Sequence, residues 1–144
     1  MKRPALLDVN VLIALFDPDH VHHEAAHAWF GNQRASGWAT CPLTENAAVR
    51  ILSNPSYGFT TAPIELARRL AAFRESGHHS FWPDDLSLCD TTVFDLAVGH
   101  RQLTDVYLLG LAVAHDGFLA TFDRSIPLKA VRGARPADLV VVDA

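Results

Sequence analysis

The sequence predicts an α/β protein built on a short parallel sheet covered by helices on both faces. Three observations carry that expectation. Brief apolar runs alternate with longer stretches of helical periodicity, the runs are apolar throughout rather than at every second residue, and Gly, Pro and Asn fall where each element would stop.

Residues 4–9 read as a buried first strand, and Asn10 is placed to cap a short apolar helix over 11–16 that Asp17-Pro18-Asp19 ends. From 20 to 35 the pattern is helical, with Ala25, Ala28, Trp29 and Phe30 on its apolar side and Gly37 closing it. A strand at 38–41 precedes a helix over 43–52 that stops at Ser53-Asn54-Pro55. Pro63 opens another helix, which ends near Gly77. A short strand at 81–82, an acidic turn at Asp84-Asp85 and a helix of about ten residues ending near Gly99 are expected next. The helix beginning at Thr104 and running to His115 is strongly apolar, Gly117 separates it from a strand at 118–122, and a last strand lies at 139–142.

With 144 residues, 49% of them hydrophobic, residues 1–144 fit one domain able to bury its own core. Cys41 and Cys89 stand in no metal-ligand spacing, so neither a zinc site nor a disulfide framework is indicated and a reducing cytoplasm is the expected setting. Lys2-Arg3 before an apolar run superficially copies a signal peptide, but Asp8 and Asn10 interrupt it. No apolar run approaches the ~20 residues that span a bilayer, so a membrane protein is not expected.

The net charge of −4 argues against binding nucleic acid through a basic surface alone. Bound divalent cations reverse the sign of an acidic site, so an acidic protein can still dock a phosphate. Arg124, Lys129, Arg132 and Arg135 gather near the C-terminus, the first three as candidate substrate contacts, with a solvated loop as the competing reading.

Chemistry is expected at the carboxyl edge of the sheet, where open α/β folds bind ligands. Asp8 ends the first strand and Asp123 follows the 118–122 strand, so two strands deliver carboxylates to one rim. Asp105 opens its helix with Leu108, Leu109 and Ala112 following at helical spacing, and therefore tops the buried stripe; Glu45 does the same above Ala48, Val49 and Leu52. Each acid alone has an ordinary explanation as a cap, an ion-pair partner or a first-turn charge. Together they need a cation, because like charges ~4 Å apart repel by about 4 kcal/mol per pair at an effective dielectric of 20. Oxygen donors without thiolate or clear imidazole partners suit Mg2+ or Mn2+ rather than zinc. Such ions activate water at a phosphodiester, which is phosphoryl hydrolysis. In that scheme Asp8, Asp105 and Asp123 hold metal, Glu45 completes the set or orients water, and Asn10 and Thr121 support the ligands from behind.

The strings Leu6-Leu7-Asp8-Val9-Asn10-Val11-Leu12-Ile13, Leu103-Thr104-Asp105-Val106-Tyr107-Leu108 and Ala120-Thr121-Phe122-Asp123-Arg124 resemble the PIN domain, and the size and segment order look like the VapC toxins of type II toxin-antitoxin modules. The resemblance covers nearly the whole chain. It implies a three-layer α/β/α Rossmann-like fold, Mg2+-dependent endoribonuclease activity, homodimerisation and inhibition by a VapB-type antitoxin. The family's acidic tetrad maps onto Asp8, Glu45, Asp105 and Asp123. In many members the glutamate stands a few residues further along its helix, where this chain has Asn46, Ala47 and Ala48.

The histidines at 20, 22, 23 and 27 lack an HExxH pattern and are read as a solvated helix face. A receiver domain would require a central-strand aspartate and a late lysine, and the match is poor. A DxDxT phosphatase would need an acid where Asn10 stands. DNA against RNA is not decided by carboxylates, and single-stranded or structured RNA follows from the resemblance alone.

Overall fold

The computed structural model describes residues 2–58 and 60–143. Its elements, in chain order, are β1 (Ala5–Leu7), α1 (Val9–Phe16), α2 (His23–Gln33), β2 (Trp38–Thr40), α3 (Pro42–Ser53), α4 (Pro63–Glu75), β3 (His79–Phe81), α5 (Leu103–Ala114), β4 (Phe118–Thr121) and β5 (Leu139–Val141). The five strands form one sheet in the order β3-β2-β1-β4-β5, every neighbouring pair parallel. The central pair registers Ala5 with Phe118, Leu6 with Leu119 and Leu7 with Ala120.

Alternation along these short strands sorts side chains to two separate cores. Leu6, Ala39 and Leu119 pack with Val106, Leu109 and Ala112 of α5 on one face. Ala5, Leu7, Trp38, Phe118 and Ala120 pack with α1 and α2 on the other. Both faces of β1, β2 and β4 are buried, which is why these runs show no polar alternation. The result is the expected three-layer α/β/α arrangement.

Two expectations are corrected. The residue that caps α1 is Asp8, not Asn10: the helix begins at Val9, and the Asp8 carboxylate accepts the Val9 N–H. No helix forms between Asp85 and Gly99. Asp90 bonds both the backbone N–H and the hydroxyl of Thr92, at 2.9 and 2.6 Å, a local turn that competes with helical bonding. Backbone bonds from Asp95 to Ala130 and from Arg132 to Val93 then dock the segment on the 128–132 stretch. Its Phe94 ring reaches α5, where a Cβ added at Gly110 would lie 2.5 Å from the ring.

The histidines also have an internal role. His23 Nδ1 and His27 Nε2 lie 2.7 and 3.0 Å from the carbonyls of Ala14 and Leu15, so α2 satisfies the C-terminal end of α1. A carbonyl only accepts, so each of these ring nitrogens carries the proton. No helix among the described residues is long and apolar enough to cross a membrane.

Candidate active site

Parallel pairing brings the carboxyl ends of β1 and β4 side by side, and the site is built on that edge. Asp8 is nearly fully buried; its Oδ1 accepts the Val9 N–H at 2.7 Å and its Oδ2 accepts the Thr121 hydroxyl at 2.7 Å. Thr121, the last residue of β4, also accepts the Asp123 N–H at 3.0 Å and the Asn10 side-chain amide at 3.3 Å. A hydroxyl has one proton and two lone pairs, so these three bonds saturate it. Asn10 Oδ1 takes the Phe122 N–H at 3.3 Å and closes the network.

Asp123 is held by Ser125, whose backbone N–H and hydroxyl donate to Oδ1 at 2.8 and 2.7 Å. Those bonds keep its carboxyl below the usual carboxylate range. Asp105, in the first turn of α5, behaves oppositely. Burial, the charge of Asp8, and the hydrogen bond and charge of Asp123 push it up to about 7. Burial also raises Asp8, against the bonds from Thr121 and Val9, and the Asp123 charge adds to the rise. Three carboxyl groups from three elements thus act on one another, the situation in which one keeps a proton unless a cation replaces it.

Asp8 and Asp105 line a groove of about 350 Å³ together with Asn10, Ala47, Arg50 and Ile51. Its candidate metal donors are the oxygens of Asp8, Asn10, Thr104 and Asp105, with no thiol or imidazole, a set suited to a hard divalent cation. Among the described residues, no group of three or more His, Cys, Asp or Glu side chains is already arranged to hold a metal ion.

Glu45 is not on that groove. It lines a neighbouring one between α3 and α4, where its Oε2 accepts the Thr40 hydroxyl at 2.6 Å and pairs with Arg74 at 3.1 Å. Thr40 spends its proton on Glu45, so the 2.7 Å contact to His79 Nε2 is donated by the imidazole. His79 is pushed down to about 4 by burial and then by the Arg74 charge, which agrees with a neutral ring. Arg124 pairs with Asp143 at 3.7 Å, both exposed, while Arg132 Nε donates to the Thr91 carbonyl and Arg135 joins Asp138. Neither these three nor Lys129 lines the acidic groove.

Sequence reasoning missed Thr40, Arg50, Arg74 and Ser125. Thr40 ends a strand on the same rim as Asp8, and Ser125 stands two residues after Asp123, where an Asx turn would place it; both were legible signals. Arg50 and Arg74 carried none, because their roles depend on which helix faces which.

Comparison with known proteins gives the family. The PIN domain model matches residues 5–132. The chain is a member of the VapC branch of the PIN-domain family. It is 47% identical over 143 residues to Ribonuclease VapC44 of Mycobacterium tuberculosis (strain ATCC 25618 / H37Rv), covering 96% of this chain and 99% of that protein. Ribonuclease VapC39 of the same strain is 46% identical over 132 residues, 90% of this chain and 95% of that one. Ribonuclease VapC38 is 44% identical over 140 residues, covering 96% and 99%. Membership of the VapC branch makes the chain a nuclease-type hydrolase and goes with dependence on a divalent metal.

Proposed function

We propose that this VapC-type protein is a Mg2+-dependent endoribonuclease, the toxin of a type II toxin-antitoxin pair, with Asp8, Asp105 and Asp123 as its metal-holding residues. The observation that carries the reading is the gathering of these acids at one rim, where burial and then the charges and hydrogen bond of its neighbours push Asp105 up to about 7 from 3.8. A divalent ion, Mg2+ or Mn2+, would polarise the scissile phosphate and lower the pKa of the attacking water.

The chain's own residues prepare that site. Thr121 and the Val9 N–H fix both oxygens of Asp8, so its carboxylate is oriented before any ligand arrives. Ser125 keeps Asp123 ionised, and Asn10 ties the start of α1 to the backbone after β4. Asp105 loses its proton when cation charge offsets Asp8 and Asp123. Glu45, paired with Arg74 in the neighbouring groove, is not counted among the founding metal ligands.

Residues 1–144 act in this reading as one domain, paired in a homodimer in the cytoplasm and restrained by a VapB-type antitoxin. A basic side chain from that partner would enter the acids and take the place of metal charge. The substrate is single-stranded or structured RNA. The test is cleavage of labelled RNAs by antitoxin-free protein with Mg2+, with Mn2+ and with chelator, beside Asp105→Asn prepared identically. Metal-dependent cleavage that the variant loses supports the reading; folded wild type that cuts no RNA across a diverse panel, or cuts only DNA, overturns it.

A further inference from the structure

The acidic groove has a second wall. α3 presents Ala47, Arg50 and Ile51 to it, the spacing of one helical face, opposite Asp8 and Asp105. Arg50 is exposed and joins none of the ion pairs among the described residues, which engage Arg3, Arg69, Arg74, Arg124 and Arg135. Glu45, five residues before it on α3, is taken by Arg74. The charges acting on Asp105 are those of Asp8 and Asp123, so the Arg50 guanidinium is not spent on the groove's own acids. The groove's other lining residues are apolar Val9, Ile13, Ala47 and Ile51 beside Asn10, Thr104 and the two acids.

We propose that Arg50 binds a backbone phosphate of the RNA substrate across the groove from Asp8 and Asp105; this rests on the ribonuclease reading above. A phosphodiester has two non-bridging oxygens. When one faces the acid-held cation, the other is left needing a donor, and a guanidinium fork fits that demand better than an ammonium. In a protein of net charge −4, one unpaired arginine at the site also carries much of the local attraction for a polyanion. Arg50 thus positions the strand, and the acids act on the bond so presented.

The test uses the full chain and four measurements, thermal unfolding among them, on wild type, Arg50→Ala and Arg50→Lys. Labelled single-stranded RNA is bound in Ca2+ across a salt series, cleavage is followed in Mg2+, and Mg2+ alone is titrated by calorimetry. Arg50→Ala should weaken RNA binding about tenfold to hundredfold and reduce the salt slope by about 0.7, the contribution of one phosphate contact on a single strand. Its Mg2+ affinity and thermal midpoint should match wild type. Arg50→Lys should keep the salt slope and recover part of the affinity. Unchanged RNA affinity and salt slope in Arg50→Ala, with wild type cleaving RNA, overturns the role of Arg50 and leaves the ribonuclease reading standing. Wild type that neither binds nor cuts RNA overturns both.

Discussion

Burial and two neighbouring carboxylates hold Asp105 well above the usual carboxylate range, and its proton has consequences for stability. Unfolded, it titrates near 3.8; folded, near 7. Between those values the folded state binds more protons, so the metal-free protein loses stability as pH rises through that window and the loss is complete above it. Allowing for solvent screening of a half-exposed side chain, the Asp105 contribution is on the order of 1 kcal/mol, or about 3 °C in Tm. Asp105→Asn should flatten the Tm-against-pH profile and be the more stable protein in chelator at about pH 8. Thermal unfolding across pH measures this, and superimposable profiles would contradict it. Thr121 is the complementary case, since its one hydroxyl serves Asp8, Asp123 and Asn10. Thr121→Val keeps the shape and strands those partners. It should cost about 1–3 kcal/mol in stability and about 10–100-fold in Mg2+ affinity, read by unfolding and calorimetry.

The elements whose sequence pattern was strong formed where expected, within a residue or two: α3, α4, α5 and the central strands are examples. What the pattern could not supply was competition from elsewhere. The 86–99 stretch has apolar residues spaced as a helix would space them, but Asp90 and Thr92 bond each other and the backbone docks against 128–132, so it stays irregular. That docking places Phe94 over Gly110 of α5 and reverses an ordinary rule. Helix propensity alone would make Gly110→Ala stabilising by about 1 kcal/mol. With the Phe94 ring 2.5 Å from the new Cβ, the substitution should instead cost about 1–3 kcal/mol, a sign that equilibrium denaturation decides. The α1–α2 joint gives a second case. His23→Ala leaves the Ala14 carbonyl without its donor and should lower stability by about 0.5–1.5 kcal/mol, although this histidine looked like part of a wet face.

Across the molecule, the parallel sheet explains why three of the four sequence-derived acids meet. Asp8 and Asp123 follow adjacent strands, and Asp105 starts the helix that leads back to β4, so strand order alone converges them. That part was readable from the chain because each acid sat at the end of an apolar run. Glu45 was harder to place, because its position depends on the angle at which α3 meets α4 and on Arg74, 29 residues away in sequence. Within the basic run at 124–135, Arg135 pairs with Asp138 and Arg132 donates to the Thr91 carbonyl, partners that the sequence did not name. In the proposed function, Asp8, Asp105 and Asp123 gather around a divalent cation. Anomalous diffraction from crystals grown with Mn2+ tests it most directly. A manganese peak bounded by those three carboxylates is the predicted result; full manganese occupancy elsewhere, with the three acids unligated, would contradict it.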